Sequence, residues 1–205
     1  MPEEKLLALN RAAVQLLKDI RTNLTVPIVV SGTMGPLQDA YEDSTDAISL
    51  DAAHDGYREQ IRSLAAEGLT KETGLPAIVS FSIESDGNIL GGCTLESAIR
   101  RVDEATDRYA TYFGVNCAHP LRIVSALQNM SIEVRERIGM VRGNASLRAH
   151  EELDNSQTLD RGDISVYIDG LEKALEYLPR IRAIGGCCGT DEEHLQAIAN
   201  KFMHS

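Results

Sequence analysis

A chain of 205 residues with 43% hydrophobic and 25% charged side chains is long enough to bury a sizeable core and polar enough to stay in water. Its formal net charge of −11 argues against nucleic acid and anionic membranes as partners, since both call for basic patches. No apolar run reaches membrane-span length and the N-terminus reads as an acidic–basic helix rather than a leader, so a cytoplasmic protein is expected, in which four cysteines are thiols or metal ligands rather than a disulfide framework.

Residues 2–24 are predicted helical, with Leu6, Leu9, Ala13, Leu17 and Ile20 on one face. Residues 26–30 are β-branched and apolar, the pattern of a strand buried on both faces, and they end in the loop Ser31-Gly-Thr-Met-Gly-Pro36. That loop lacks the Gly-Lys-Ser/Thr ending of a phosphate-binding loop and reads as a turn lining a cleft. Residues 41–49 are polar and irregular, and 50–67 are predicted helical. The next strand spans 76–83, followed by a turn at Asp86-Gly87 and a helix marked by Leu95, Ala98, Ile99, Val102 and Ala105, with Thr94 as its cap. A strand over 109–115 ends at Asn116-Cys117, His119-Pro120 opens a loop, and a helix runs to Met130. A short strand over 137–141 breaks at Arg142-Gly-Asn-Ala145, and 148–163 crosses the surface as a polar stretch. Tyr167, Leu171, Ala174, Leu175 and Leu178 share a helix face, 181–184 is the last strand, and Thr190 caps the final helix in a capping box with Glu193.

Alternating strands and helices with buried, parallel-type strands make an α/β pattern. The marked loops, at Ser31, Cys117, Asn144 and Cys187, all follow strands. In a parallel barrel they share the C-terminal face, which brings residues 70 positions apart together. Cys117 and the adjacent pair Cys187-Cys188 can then make a three-sulfur site for zinc, which takes thiolates at about 2.3 Å in a tetrahedron. Three protein ligands leave one position open, the catalytic arrangement, and that position suits a substrate thiol held as the nucleophilic thiolate. The reaction is S-alkylation, most simply methyl transfer. Adjacent cysteines strain such a site, and Gly185, Gly186 and Gly189 relieve the strain. The bland alternative, cysteines acting as small buried hydrophobes, fits less well where glycines frame the pair. Cys93, just before a helix, reads as a bystander.

Asn116 and Asn144 stand at strand ends, where they can hydrogen-bond substrate or orient the metal's ligands, although as turn formers they need no function. His119 reads as a loop residue beside Pro120 rather than a fourth ligand, and His54, His150, His194 and His204 as surface residues. The pairs Glu3-Glu4, Glu151-Glu152 and Glu192-Glu193 sit near helix starts and complement the dipole.

Gly114-Val-Asn-Cys117 and Gly185-Gly-Cys-Cys-Gly-Thr190 resemble the paired signatures of the zinc-dependent homocysteine S-methyltransferases. Ser31-Gly-Thr-Met-Gly-Pro36 resembles the loop after that family's third strand, Val79-Ser-Phe81 its fifth strand, and Asn144-Ala-Ser146 the asparagine loop after its seventh. The resemblance covers most of residues 5–203. It implies a (β/α)8 barrel, zinc on Cys117, Cys187 and Cys188, and homocysteine as the acceptor, giving methionine. Selenocysteine or a related thiol is an alternative acceptor. The family's donors include S-methylmethionine, S-adenosylmethionine, betaine and methyl-folate. No folate or cobalamin module fits in 205 residues, so the expected donor is a sulfonium, S-methylmethionine or S-adenosylmethionine.

The chain departs from the family in its opening Asp-Gly-Gly-type strand, its second strand, and its fourth strand with the glutamate that helps hold the substrate's amino group; none is recognisable. Ala66-Glu-Gly68 runs almost directly into Lys71-Glu-Thr-Gly-Leu-Pro76. An unclosed sheet exposes edges and apolar faces, which predicts a sticky monomer and favours a homo-oligomer. The expectation is one barrel domain over 1–205, with a segment missing near 67–71 and an N-terminal portion missing. Two further classes compete: a non-catalytic interaction or regulatory relative that retains the zinc site, and a thiol redox protein using Cys187-Cys188. Adjacency disfavours the second, because redox pairs usually have two residues between them.

Overall fold

The computed structural model describes residues 3–35, 49, 51–52, 55–58, 76–84, 86–89, 92–149, 152–153 and 156–203. The chain divides into two compact units, residues 1–75 and 76–205.

In the first unit the predicted helix forms as α1 (Glu3–Thr22) and ends where Thr22 Oγ1 and Asn23 Nδ2 both donate to the Asp19 carbonyl, at 2.7 and 2.9 Å. Val14 is buried, whereas Leu9, Leu16, Leu17 and Ile20 are exposed. The predicted strand over 26–30 is a correction: these residues form no ladder, and Val29 is 91% exposed. β-Branched residues favour extended backbone, but a strand exists only when a neighbour takes its hydrogen bonds, and no partner occurs among the described residues. Of the predicted helix over 50–67, residues 51–52 and 55–58 are helical. Its remainder, the stretch 41–48, the expected gap near 67–71, and His54, His150 and His204 lie outside the described residues.

The second unit carries the parallel sheet. Its elements are β1 (Ala77–Ser82), β2 (Asn88–Ile89), β3 (Cys93–Thr94), α2 (Leu95–Ala105), β4 (Ala110–Asn116), α3 (Pro120–Gln128), α4 (Ile132–Arg135), β5 (Ile138–Gly143), α5 (Ile164–Glu176), β6 (Ala183–Gly186) and α6 (Glu192–Phe202). The sheet runs β1-β4-β5-β6 with every pairing parallel, so each strand lies beside the next long strand in the chain. The hairpin β2–β3, which contains Cys93, and the single turn α4 are not apparent in the sequence pattern. β5 runs on through Gly143 where a break at Arg142 was expected, because Arg142 and Gly143 pair in register with Gly185 and Gly186.

The two sheet faces differ sharply. One side packs Phe113, Val115, Ile138 and Val141 against Ile99 of α2, Ile123 and Leu127 of α3, and Leu171 of α5, all fully buried. Each such side chain contributes about 1.5–3 kcal/mol by burial. Phe81 stacks on Phe113 at 6.0 Å between ring centres. Residues aligned across the other face end, at the C-terminal edge, in the polar row Ser82, Asn116, Arg142 and Gly185. Strand alternation therefore sets an apolar, helix-covered face against a polar row beside the strand ends.

Helix caps follow the sequence in part. Thr94 Oγ1 accepts the Ser97 N–H as predicted, and Pro120 occupies the first turn of α3. The cap of α6 is Asp191, not Thr190, and the capping box is closed by His194, not Glu193. Among the described residues, no helix is long and apolar enough to cross a membrane.

Candidate metal centre

Three thiols meet at the C-terminal edge of the sheet. Cys117 follows β4 directly, and Cys187 and Cys188 follow β6. The Sγ atoms of Cys117 and Cys187 lie 3.4 Å apart, and those of Cys187 and Cys188 lie 4.0 Å apart. Backbone bonds set this register: Cys117 N–H donates to the Arg142 carbonyl at 3.2 Å, and Cys187 N–H to the Gly143 carbonyl at 2.8 Å. Cys117 has φ +61, a left-handed conformation that costs a side-chain-bearing residue about 1–2 kcal/mol. Such strain persists where surrounding contacts over-determine it.

The turn after β6 is held by Thr190, whose Oγ1 donates to the Cys187 carbonyl at 2.7 Å. A Cβ at Gly186 would fall on the Thr190 side chain, and one at Gly189, with φ +77, on the Asp160 carbonyl. Gly185 has nothing within 4 Å of that position, so only two of the three framing glycines are sterically required.

Electrostatics single out Cys187. Its hydrogen bond with the Cys117 thiol lowers its pKa to about 7 despite burial, while the same bond and then burial push Cys117 up. The contact thus favours the ionised form at Cys187 over that at Cys117. Asn116 Nδ2 donates to Cys117 Sγ at 3.1 Å and to Ser82 Oγ at 3.0 Å, orienting the thiol from the polar row.

Three cysteine sulfurs are a donor set of the chemistry zinc takes. Thiolates at about 2.3 Å from a tetrahedral ion lie about 3.8 Å from one another, between the two separations seen. Both of these contacts run through Cys187. Among the described residues, no set of three His, Cys, Asp or Glu side chains is already arranged to hold a metal ion.

The predicted asparagines occupy different positions. Asn116 touches Cys117 directly. Asn144 is 5% exposed, its Nδ2 donates to the Cys117 carbonyl at 3.0 Å, and its Oδ1 is buried with no hydrogen-bond partner. His119 caps α3, its Nδ1 accepting the Leu121 N–H at 3.2 Å, and burial followed by the Arg122 charge lowers its pKa to about 4. That bond occupies one ring nitrogen within the cap, in keeping with a loop role. His194, expected at the surface, is a correction: it is fully buried, with Nδ1 2.9 Å from Asp191 Oδ1 and Nε2 3.1 Å from the Arg161 carbonyl. A histidine with both nitrogens satisfied can be interior, which helical spacing alone does not reveal.

Other contributors escaped the sequence reading. Tyr167, predicted only as a helix-face residue, places its hydroxyl 2.9 Å from the Gly185 carbonyl and 3.3 Å from that of Gly143, joining the ends of β5 and β6 beneath the thiols. Ser146 Oγ donates to Asp160 Oδ2 at 2.7 Å, and Gly162 N–H to Oδ1 at 2.9 Å; together they hold the Asp160 carboxyl below its usual pKa. The dipeptide Asp160-Arg161 before Gly162 is a turn signal that could have marked this loop. A cavity of about 290 Å³ opens here, walled by Asn144, Ser146, Leu153, Leu159, Asp160 and Cys188, among others. A larger one, about 430 Å³, lies between α2 and α4 and is lined by Asp103, Arg137, Arg100 and other charged groups already in ion pairs. It is remote from every thiol of the trio.

A family model described as homocysteine S-methyltransferase matches the chain in two pieces, residues 1–73 and 65–202. No curated protein matches it.

Proposed function

The chain belongs to the homocysteine S-methyltransferase family, and from that premise we propose that it transfers a methyl group from a sulfonium donor, S-methylmethionine or S-adenosylmethionine, to the thiol of homocysteine at a zinc ion held by Cys117, Cys187 and Cys188. The observation that carries this reading is the 3.4 Å approach of the Cys117 and Cys187 thiols, brought together from two strand ends 70 residues apart, with Cys188 4.0 Å from Cys187. Zinc held by Cys117, Cys187 and Cys188 would have a fourth position for the acceptor thiol and would favour its ionised form at neutral pH, where a free thiol is mostly protonated.

The remaining work falls to the chain's own groups. Cys187, with its pKa near 7, gives up its proton readily, and Asn116 steadies the Cys117 sulfur through its amide. Gly186, Gly189 and Thr190 hold the turn that presents both cysteines of the pair, and Tyr167 ties that turn to β5. Holding acceptor thiol and donor methyl in line supplies much of the rate, since the chemistry is a single displacement. We read the four sequential parallel strands, with their chemical loops on one edge, as an arc of a (β/α)8 barrel.

Incubation of zinc-supplemented protein with homocysteine and S-methylmethionine should yield methionine, and Cys187→Ser should abolish it. A second reading, a non-catalytic interaction or regulatory relative, draws on the absence of a closed three-ligand set among the described residues. Zinc-loaded protein that forms no methionine from either sulfonium would establish it.

A further inference from the structure

We propose that Tyr167 is a positioning residue for the thiol trio: its buried hydroxyl holds the end of β6, and with it Cys187, in reach of Cys117. The consequence for metal binding rests on the zinc reading above. Tyr167 lies in the first turn of α5, which Asp163 caps through the Ser165 and Val166 amides. Its side chain is fully buried, and its hydroxyl donates to the Gly185 carbonyl at 2.9 Å, with the Gly143 carbonyl 3.3 Å away. The same Gly143 carbonyl accepts the Cys187 N–H at 2.8 Å. One phenol therefore meets both the backbone two residues before Cys187 and the acceptor that fixes the Cys187 amide.

A phenylalanine would fill this site without the oxygen, so packing alone does not call for a hydroxyl. Two glycines make room for it. A Cβ at Gly143 would come within 3.0 Å of the hydroxyl oxygen. One at Gly170 would press on Pro120 and Leu121, so its absence lets α5 lie close to the start of α3. Among the described residues β6 is the outer strand of the sheet, paired by β5 alone. A side-chain bond to its carbonyl therefore restrains it more than it would an inner strand. Burial pushes the Tyr167 pKa up to about 12, so the hydroxyl stays a donor across the neutral range. The ring extends the restraint to the other thiol. It meets His119, two residues after Cys117, and His194 of α6, with ring centres 5.9 and 5.5 Å away and ring planes perpendicular. Both histidines are buried. Tyr167 thus touches the residues that leave β4 and the ends of β5 and β6 at once.

Metal affinity scales with the fraction of molecules whose thiols already converge. Tyr167→Phe removes one oxygen and one buried hydrogen bond, which should weaken zinc affinity about tenfold in competition with a chromogenic chelator on the reduced full chain. The cobalt-substituted variant should lose thiolate-to-cobalt charge-transfer absorbance per bound metal. Asp103→Ala, which weakens the fold away from the thiols, should leave both readings unchanged. Equal zinc affinity in Tyr167→Phe, or an equal loss in Asp103→Ala, would overturn the proposal. A second measurement needs no zinc. In the metal-free, unmodified chain the Cys187 amide should exchange with deuterium as slowly as the Phe113 amide of inner strand β4, and about tenfold faster in Tyr167→Phe. Exchange at the rate of an exposed loop in the unmodified chain contradicts the proposal without any variant having to fold, and so does an unchanged rate in the variant. A chain that binds no zinc but shows this protection and its loss would sink the zinc reading and keep the positioning role. Zinc bound by a chain whose Cys187 amide is unprotected would do the reverse.

Discussion

Cys117 and Gly189 share a left-handed backbone, for different reasons. At Cys117 a side chain is held at φ +61 because its amide is claimed by Arg142 and its sulfur by Asn116 and Cys187. At Gly189 the residue type is dictated, since φ is +77 and any Cβ would run into the Asp160 carbonyl, a backbone atom that cannot rotate away. Gly189→Ala should therefore lose about 2 kcal/mol or more, from backbone conformation and collision together. Because the collision pushes on the loop that carries Cys188, zinc retention should fall with stability. Chemical denaturation and a zinc competition assay measure the two effects. An alanine variant with unaltered melting and unaltered zinc affinity would show that the turn tolerates a side chain.

Between elements, a two-bond ion pair joins α2 to the residue before β5. Asp103 of α2 grips Arg137 with two bonds of 2.7 and 2.8 Å, and the same guanidinium donates to the Ala110 carbonyl and sits 5.3 Å from the centre of the Phe113 ring. The side chains are only 10% and 15% exposed. Removing one partner of a buried pair strands the other, so Asp103→Ala should cost about 3 kcal/mol in urea denaturation. A loss below about 0.5 kcal/mol would mean solvent replaces the carboxylate without penalty. The cap of α6 gives a pH dependence. Contact with His194 first, and with Arg161 further on, lowers the Asp191 pKa from 3.8 to about 2. A depressed carboxylate stabilises the fold fully above its unfolded value and loses that contribution as pH falls through the folded one. The advantage of the unmodified chain over Asp191→Asn should thus be constant above about pH 4.5 and shrink between about pH 4 and pH 2. A difference that stays flat over that window would show that Asp191 is not titrating as a cap.

At the scale of the molecule, what could be read from the residues was whatever is local or carried by special backbone. The glycines around Cys187-Cys188, an apolar lead-in and a following cap specify strand, turn and helix wherever they occur, so the convergence of three thiols on one edge was legible. Helix faces such as Leu171 and Ala174 were legible for the same reason, as was the parallel order. Properties that depend on a distant partner were not. Residues 26–30 have strand composition and no ladder; His194 has surface composition and two buried hydrogen bonds; Tyr167 has a core position and a hydroxyl that ties two strands. The cavity at Asp160 is built by a polar loop whose path no periodicity encodes. Thr190 and Glu193 satisfy the capping-box pattern, yet Asp191 and His194 take the roles, because Thr190 is drawn to the Cys187 carbonyl.

The central claim is that three cysteines form one zinc site. Zinc content per chain on freshly purified, reduced protein, measured by mass spectrometry of the metal, tests it most directly. The account predicts about one zinc per chain, lost in Cys117→Ser and in Cys187→Ser. A value near zero with all thiols intact would contradict it, and the enzyme reading would fall with it.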